Sequence, residues 1–286
     1  MRVALVTAAA YANLDPDLPL LPPALAAVGH DASVVSWDDA SVDWSSYAGV
    51  VIRSTWDYVD RREDYLTWAA SVETMTRLAN PSAVLRWNSD KHYLRALAAA
   101  GVRTVPTVWP GYGDEIPNHW SDIVVKPAVS AGGRWTGRYD DVEAATAFAR
   151  RLLDRNEAPL VQPYVSTIDR HGEIGIFFFG GKPSHAVRKA AILPVGQRPI
   201  DNFQLAVDQL VEPVALSDAP IDFAVAVLDA VPSNEALLYA RVDCVSDDDG
   251  GYVLLEVELI EPSLFLNLSE GADRRYARAV DAWLRS

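Results

Sequence analysis

The hydrophobic period changes partway along the chain, and that change limits the folds open to it. Up to about residue 155, short apolar runs rich in β-branched residues, such as residues 2–7, 33–36 and 49–53, alternate with stretches of helical period. Such alternation builds a parallel sheet whose ligand loops lie at the strand carboxyl ends. From residue 160 the period is mainly two, in two glycine-turned hairpins separated by a long proline-containing connection, which calls for antiparallel pairing. The expected class is α/β, with α+β character in its later part. A parallel αβα lobe should span 1–85, a central lobe 86–160 and a C-terminal lobe 161–286, within reach of 286 residues.

Local signals refine this outline. Residues 18–28 predict a helix closed by Gly29, and Asp60 with Glu63 has the spacing of a capping box for the next one. Asn80-Pro81 ends the first lobe. Ser89 is expected to cap a helix running to Ala100 before Gly101, and Asp140 with Glu143 one running to about Asp154. Between them a strand over 122–127 feeds a glycine-containing loop over 128–137. A terminal amphipathic helix should open at Ser269.

The formal charge is −14 and the pI about 4.7, with no basic run. Nucleic acid and anionic bilayers are thus excluded as partners. The one cysteine, Cys244, rules out a disulfide framework and a multi-cysteine zinc site. Its apolar surroundings read as those of a small buried hydrophobe rather than a nucleophile. No apolar run approaches the ~20 residues of a membrane span, and the first one is too short for a secretory signal, so a cytoplasmic protein is expected. A homodimer is the default assembly. The lack of a G-x-G-x-x-G sequence after the first strand excludes a dinucleotide-dependent dehydrogenase.

The second hairpin places its charges by arithmetic. Leu238–Val245 alternates Arg241 and Asp243 against Val242 and Cys244, and Tyr252–Leu259 alternates Glu256 and Glu258 against Val253, Leu255 and Val257. With Asp249-Gly250 as a two-residue turn, Asp243 faces Glu256 and Arg241 faces Glu258. Like charges directly opposite are unfavourable unless a cation is shared. Mg²⁺, which takes one or two carboxylates together with phosphate oxygens, fits; an exposed acidic face with a weak Arg241–Glu258 pair is the other reading. In the first hairpin, a turn centred on Gly180-Gly181 makes Glu173 face Arg188, either as a plain ion pair or with the arginine aimed at an anionic ligand.

Taken in order, these pieces resemble the ATP-grasp superfamily of ATP-dependent carboxylate ligases, which includes D-alanine–D-alanine ligase and glutathione synthetase. The similarity covers residues 85–265. Asn88-Ser89-Asp90-Lys91 looks like the segment carrying the first ATP lysine; Val124-Val125-Lys126-Pro127 with Ser130-Ala131-Gly132-Gly133 looks like the second lysine and the loop closing over the phosphates. Gln162-Pro163-Tyr164-Val165 looks like the hinge that holds adenine through the Pro163 carbonyl and the Val165 N–H, and Asp169 falls where an acid meets the ribose. Arg241-x-Asp243 followed by Glu256-x-Glu258 is similar to the arginine and metal carboxylates, although Glu258 stands where Asn is usual. The run Arg53-Ser54-Thr55-Trp56-Asp57-Tyr58 and the run Ser184-His185-Ala186-Val187-Arg188-Lys189 look most like a smaller branch, which contains the cyclo-ligase closing O-ureido-D-serine to D-cycloserine.

The resemblance implies ATP and Mg²⁺ as cofactors and two later lobes gripping ATP between them. Lys91 and Lys126 would hold the phosphates, and Asp243, Glu256 and Glu258 the metal. Arg241, Lys126 and Arg188 would act in catalysis. Arg53, Ser54, Trp56, Asp57, Tyr58 and Arg188 would bind a small amino-acid-like substrate. The carboxylate would become an acyl phosphate that a nitrogen attacks, from either the same molecule or a second one. No histidine is needed as a base, and His185 is expected to be structural. A ligase joining two molecules and a nucleotide sensor without turnover are the competing readings.

Overall fold

A computed structural model describes residues 1–196, 199, 209–215 and 217–286; part of the connection between the two hairpins lies outside them. Three sheets succeed one another along the chain. The first is parallel, with order β2-β1-β3-β4, from β1 (Arg2–Thr7), β2 (Asp31–Ser36), β3 (Gly49–Ile52) and β4 (Arg77–Ala79). Helices α1 (Leu21–Ala26) and α2 (Arg62–Met75) supply its crossovers. The second is antiparallel, order β6-β5-β7, from β5 (Ile123–Pro127), β6 (Gly137–Tyr139) and β7 (Pro159–Pro163), with α5 (Val142–Asp154) packed on it. The third has order β10-β9-β8-β11-β12, from β8 (Glu173–Phe179), β9 (Lys182–Lys189), β10 (Val211–Val214), β11 (Tyr239–Ser246) and β12 (Tyr252–Glu258).

Helix boundaries differ from the sequence expectations for identifiable reasons. Residues 18–20 form a 3-10 turn and only Leu21–Ala26 is α-helical, because prolines 19, 22 and 23 remove amide donors. Asp60 does not cap α2: its carboxylate is taken by Arg134, and α2 begins without a side-chain cap. The helix expected from Ser89 is two pieces, α3 (Ser82–Asn88) and α4 (Tyr93–Ala99). Ser89 ends the first, its hydroxyl accepting from Arg62, while Asp90 takes the His92 amide. The cap of α5 is Asp141, one residue later than expected, since its carboxylate reaches the amides of Glu143 and Ala144.

The cores cross between the sheets. The terminal helix (Ala272–Arg285) buries Tyr276, Val280 and Leu284 with Val3, Leu5 and Leu21 of the first lobe. Each such aliphatic side chain contributes roughly 1.5–3 kcal/mol. α3 and α4 bury Val84, Leu94 and Leu97 against Ile176, Phe178 and Val242 of the third sheet.

Residues 259–266, just beyond β12, are tied to the whole molecule through their backbone. The Leu259 amide donates to Asn88 and its carbonyl accepts from Asn80; the carbonyls of 260, 261, 262, 263 and 264 accept from Tyr239, Trp56, Arg53, Arg241 and His185. The amides of 264, 265 and 266 all donate to the buried carboxylate of Asp17. A segment without regular structure is thereby satisfied inside the protein, as buried backbone must be.

Candidate active site

Bulges decide what each hairpin presents. In β11–β12 the connection is the five-residue loop 247–251 and not the expected tight turn: Asp247 accepts from the amides of Asp249 and Gly251. The first pairs are therefore one residue out of the expected register, Ser246 with Tyr252 and Cys244 with Leu254. Leu255 is then bulged out, and beyond it Asp243 faces Glu256 and Arg241 faces Glu258, as read from the sequence. The bulge also puts Leu254 in the core in place of the expected Val253 and Leu255.

In β8–β9 the Gly180-Gly181 turn pairs Phe179 with Lys182 as expected, but the extra residue Ser184 shifts the remainder. Glu173 consequently faces Lys189, not Arg188, which corrects the sequence pairing. Arg188 alternates to the opposite face, exposed and paired with Glu212 at 3.3 Å. Lys189 is 6% exposed, in contact with Glu173 and 2.9 Å from Asp243. Sequence reasoning missed it; the scarcity of lysine, four among 25 basic residues, was the available signal.

Asp243 is fully buried between these strands. Arg241 approaches both of its oxygens (3.0 Å from Nε, 2.9 Å from Nη2), contacts Glu258 and donates to the Ser263 carbonyl at 3.1 Å. Gly175, opposite Asp243, makes room for this: a Cβ there would lie 3.0 Å from the Asp243 Oδ1. The ligand oxygens of Asp243, Glu256 and Glu258 lie within 4.8 Å of one another. An all-carboxylate donor set of that size suits a hard cation such as Mg²⁺.

The lysines meet this cluster from the central lobe. Lys91 Nζ donates to the Ser130 carbonyl (2.8 Å) and hydroxyl (3.2 Å) and lies 3.8 Å from Glu256. Lys126 is a neighbour of Glu256, Lys91, Glu173 and Lys189; burial pushes its ammonium below the usual lysine range, Glu256 opposes that, and Lys91 adds to it. Glu256 lies under the combined field of Lys91, Lys126, Lys189 and Arg241, which outweighs its burial and holds it below the ordinary carboxylate range. Glu258 moves the other way: burial raises it, and Glu256 and Asp243 add to the rise against Arg241. Four cationic side chains and four carboxylates thus interleave within one site.

The loop over 128–136 follows Lys126. Gly132 and Gly133 adopt φ of +59° and +75°, and Arg134 bridges to Asp60 of the first lobe with Nη1 and Nη2 at 3.0 and 3.1 Å. At the hinge, the buried Gln162 donates to Thr107, and the Tyr164 amide donates to the Asp122 carbonyl. Asp169 accepts from the Tyr164 hydroxyl at 2.5 Å. Pro163 and Val165 are half-buried beside them. Arg138, missed in the sequence, pairs with Asp122 and stacks its guanidinium 3.4 Å from the Tyr164 ring centroid.

The first-lobe loop divides. Arg53 and Ser54 are buried among Asp15, Asp17 and Thr7, and Arg53 donates to the Pro262 carbonyl. Asp57 takes Trp37 Nε1 and Arg61. Trp56 and Tyr58 turn toward the third sheet: Trp56 Nε1 donates to the backbone carbonyl of Glu261, and the Tyr58 hydroxyl is raised by burial and by Glu261 and Glu258. Cys244 is buried and its thiol pushed up by burial, as a structural residue should be. His185 is neutral, stacked on Phe177 and donating through Nε2 to Leu264. Among the described residues no helix is long and apolar enough to cross a membrane.

Residues 3–80 match the family described as D-cycloserine synthetase DcsG, N-terminal domain. The cycloserine biosynthesis protein DcsG of Streptomyces lavendulae is 37% identical over 293 residues, covering 97% of each chain. A crystal structure of D-cycloserine synthetase DcsG superposes with a TM-score of 0.90 at 34% identity, over 99% of this chain and 100% of that one. D-alanine–D-alanine ligase from Bacillus anthracis complexed with ATP gives a TM-score of 0.67 at 14% identity, over 98% and 95%, a likeness of fold.

Proposed function

Because the chain belongs to the D-cycloserine synthetase family of ATP-grasp ligases, we propose that it closes an amino acid onto its own side-chain nitrogen, O-ureido-D-serine to D-cycloserine being the instance. The chain is an ATP-dependent ligase; the substrate and the residue roles are the proposal. The supporting observation is the meeting of Lys91, Lys126, Lys189 and Arg241 around Asp243, Glu256 and Glu258.

The substrate carboxylate attacks the terminal phosphorus of ATP, giving an acyl phosphate and ADP. The ammonium groups of Lys91 and Lys126 neutralise charge on the phosphoryl oxygens, the main demand of phosphoryl transfer. Asp243, Glu256 and Glu258 would hold Mg²⁺, which when bound adds positive charge at those oxygens. Lys189 and Arg241 fix the Asp243 carboxylate from two sides, so its orientation is set before substrate arrives.

The side-chain nitrogen bonded to oxygen then attacks the acyl carbon and phosphate leaves, giving the carbamoylated ring. Water cleaves the carbamoyl group from that nitrogen, and the carbamic acid released falls apart to CO2 and ammonia. Arg241 faces the developing oxyanion. Reaction within one molecule has a high effective molarity, so the protein need only hold the chain folded. The Gly132-Gly133 loop, bridged to the first lobe by Arg134, keeps water from the acyl phosphate. The hinge residues Gln162, Pro163, Tyr164 and Val165 with Asp169 hold the nucleoside, and Trp56 and Tyr58 border the amino acid.

The test is ADP release with O-ureido-D-serine as sole acceptor, with product mass measured. Ring closure yields one ADP per D-cycloserine, with one CO2 and one ammonia released; ADP appearing only after a second amine is added identifies an intermolecular ligase instead. Lys126→Ala should abolish turnover without lowering the melting temperature. Glu256→Gln should raise the Mg²⁺ midpoint about ten-fold, and an unchanged titration removes Glu256 from the metal set.

A further inference from the structure

Glu261 is a carboxylate that the scheme above does not use. The main chain around it is pinned: its carbonyl accepts from Trp56 Nε1 at 3.2 Å, and the next two carbonyls accept from Arg53 and Arg241, each at 3.1 Å. The residue is only 8% exposed, yet among the described residues no other one hydrogen-bonds to its carboxylate and no cation lies within ion-pair distance of it. It is also outside the set of three acids whose ligand oxygens converge. Glu258, Lys91 and Arg241 act on it from the site, and it acts in turn on the hydroxyls of Tyr58 and Tyr65 of the first lobe.

Every other carboxylate of the site is engaged. Asp243 has Arg241 and Lys189, Glu258 has Arg241, Glu173 has Lys189, and Glu256 has Lys91 at 3.8 Å and the field of Lys126. A charge buried without a partner is expensive, and a cation brought against it removes that cost. Position along the site says which cation. The nucleotide end is marked by Lys91, Lys126 and Glu256, and the acyl end by Arg241, whose Nη1 donates to the Ser263 carbonyl two residues on from Glu261. An amino acid whose carboxyl carbon sits at Arg241 carries its ammonium one carbon away, so the group that receives it must be an acid next to the acyl position and off the metal.

We infer that Glu261 receives the α-ammonium group of the amino-acid substrate, with Trp56 and Tyr58 walling that subsite from the first lobe. This rests on the ligase reading above and makes Glu261 the residue that separates an α-amino acid from a plain carboxylic acid. Binding would then fix two substituents of the α-carbon, the carboxylate at Arg241 and the ammonium at Glu261, leaving the side chain one direction in which to fold back.

The experiment compares kcat/KM for O-ureido-D-serine and its desamino analogue 3-(ureidooxy)propanoate in the full-length wild type, Glu261→Gln and Glu261→Asp. The wild type should favour the amino acid by about 100-fold or more. Glu261→Gln should cut that preference at least about ten-fold, through the KM of the amino acid, while the desamino rate, the KM for ATP and the Mg²⁺ midpoint hold. Glu261→Asp, which keeps the charge on a shorter arm, should retain part of the preference. Equal losses on both substrates, with or without a shifted metal midpoint or a lowered melting temperature, overturn the inference. Wild type inactive on O-ureido-D-serine defeats the ligase reading separately. In that event calorimetric binding of the two compounds to enzyme loaded with a non-hydrolysable ATP analogue decides, and equal wild-type affinities overturn the ammonium site.

Discussion

The two hairpins of the third sheet have the same ingredients, a glycine-containing turn and one bulged residue, but stand in opposite relation to their turns. In β8–β9 the tight turn is as short as it reads, and Ser184 moves every pair beyond it by one. In β11–β12 the turn is longer than it reads, and Leu255 moves the pairs back, so Asp243 still meets Glu256. A register counted outward from a turn holds only as far as the first bulge. One slip brought Lys189 into the site in place of Arg188; the other left the acids where they were expected.

That contrast can be broken most directly at the adjacent pair Arg188 and Lys189. Lys189→Ala removes the buried ammonium between Glu173 and Asp243, and ADP release should fall at least about 100-fold. Arg188→Ala touches an exposed pair with Glu212, and turnover should stay within about three-fold. The reverse order of effects would mean that the strand keeps the unbulged register.

A smaller effect distinguishes how the two bulges are anchored. Next to Ser184 stands His185, whose imidazole is held neutral, its pKa lowered to about 4 mainly by burial and also by Arg275. Nothing ionisable of this kind flanks Leu255, which lies between Leu254 of the core and Glu256. Below pH 6.5 the unfolded chain binds a proton at His185 that the folded chain refuses until about pH 4, so this residue's stability contribution is lost as pH falls through that window. The stability gap between wild type and His185→Gln, read by denaturant titration, should shrink by up to about 3 kcal/mol from pH 7 to pH 4. A gap that does not change means His185 takes up a proton in the folded protein.

The smallest effect is expected at the tip of β11–β12. Deleting Asp248, an exposed residue of the five-residue loop, leaves Leu255 between the tip and the acids, and should alter turnover less than about two-fold and the melting temperature by a few degrees. A large loss would show that the loop, not the bulge, sets the acid pairing.

Much of this site could be read locally. The alternation of strands and helices and the acids two apart on β12 are short-range patterns, and period and spacing carry them; Lys91 and Lys126 are picked out by the resemblance to ATP-grasp ligases. What could not be read depends on long-range geometry. Lys189 needed knowledge of a bulge, which leaves no fixed mark in sequence. Asp60 had the spacing of a cap but found a stronger partner in Arg134, 74 positions away. Asp17 gives no sign that its carboxylate collects three amides some 250 residues later. Glu261 looks like any acid in a Pro-containing stretch until its burial and its lack of a partner are visible.

The ties to residues 259–266 bear on how such enzymes can be recombined. Asp17, Arg53, Trp56 and Asn80 come from the first eighty positions and close hydrogen bonds on a stretch near the far end of the chain. Grafting another ligase's opening portion onto this one would strand those carbonyls and amides in a dry interior, however well the grafted piece folds by itself. The opening lobe and this late stretch therefore form a matched set in this chain, and its acceptor preference is best altered by point changes inside the intact frame rather than by exchanging lobes.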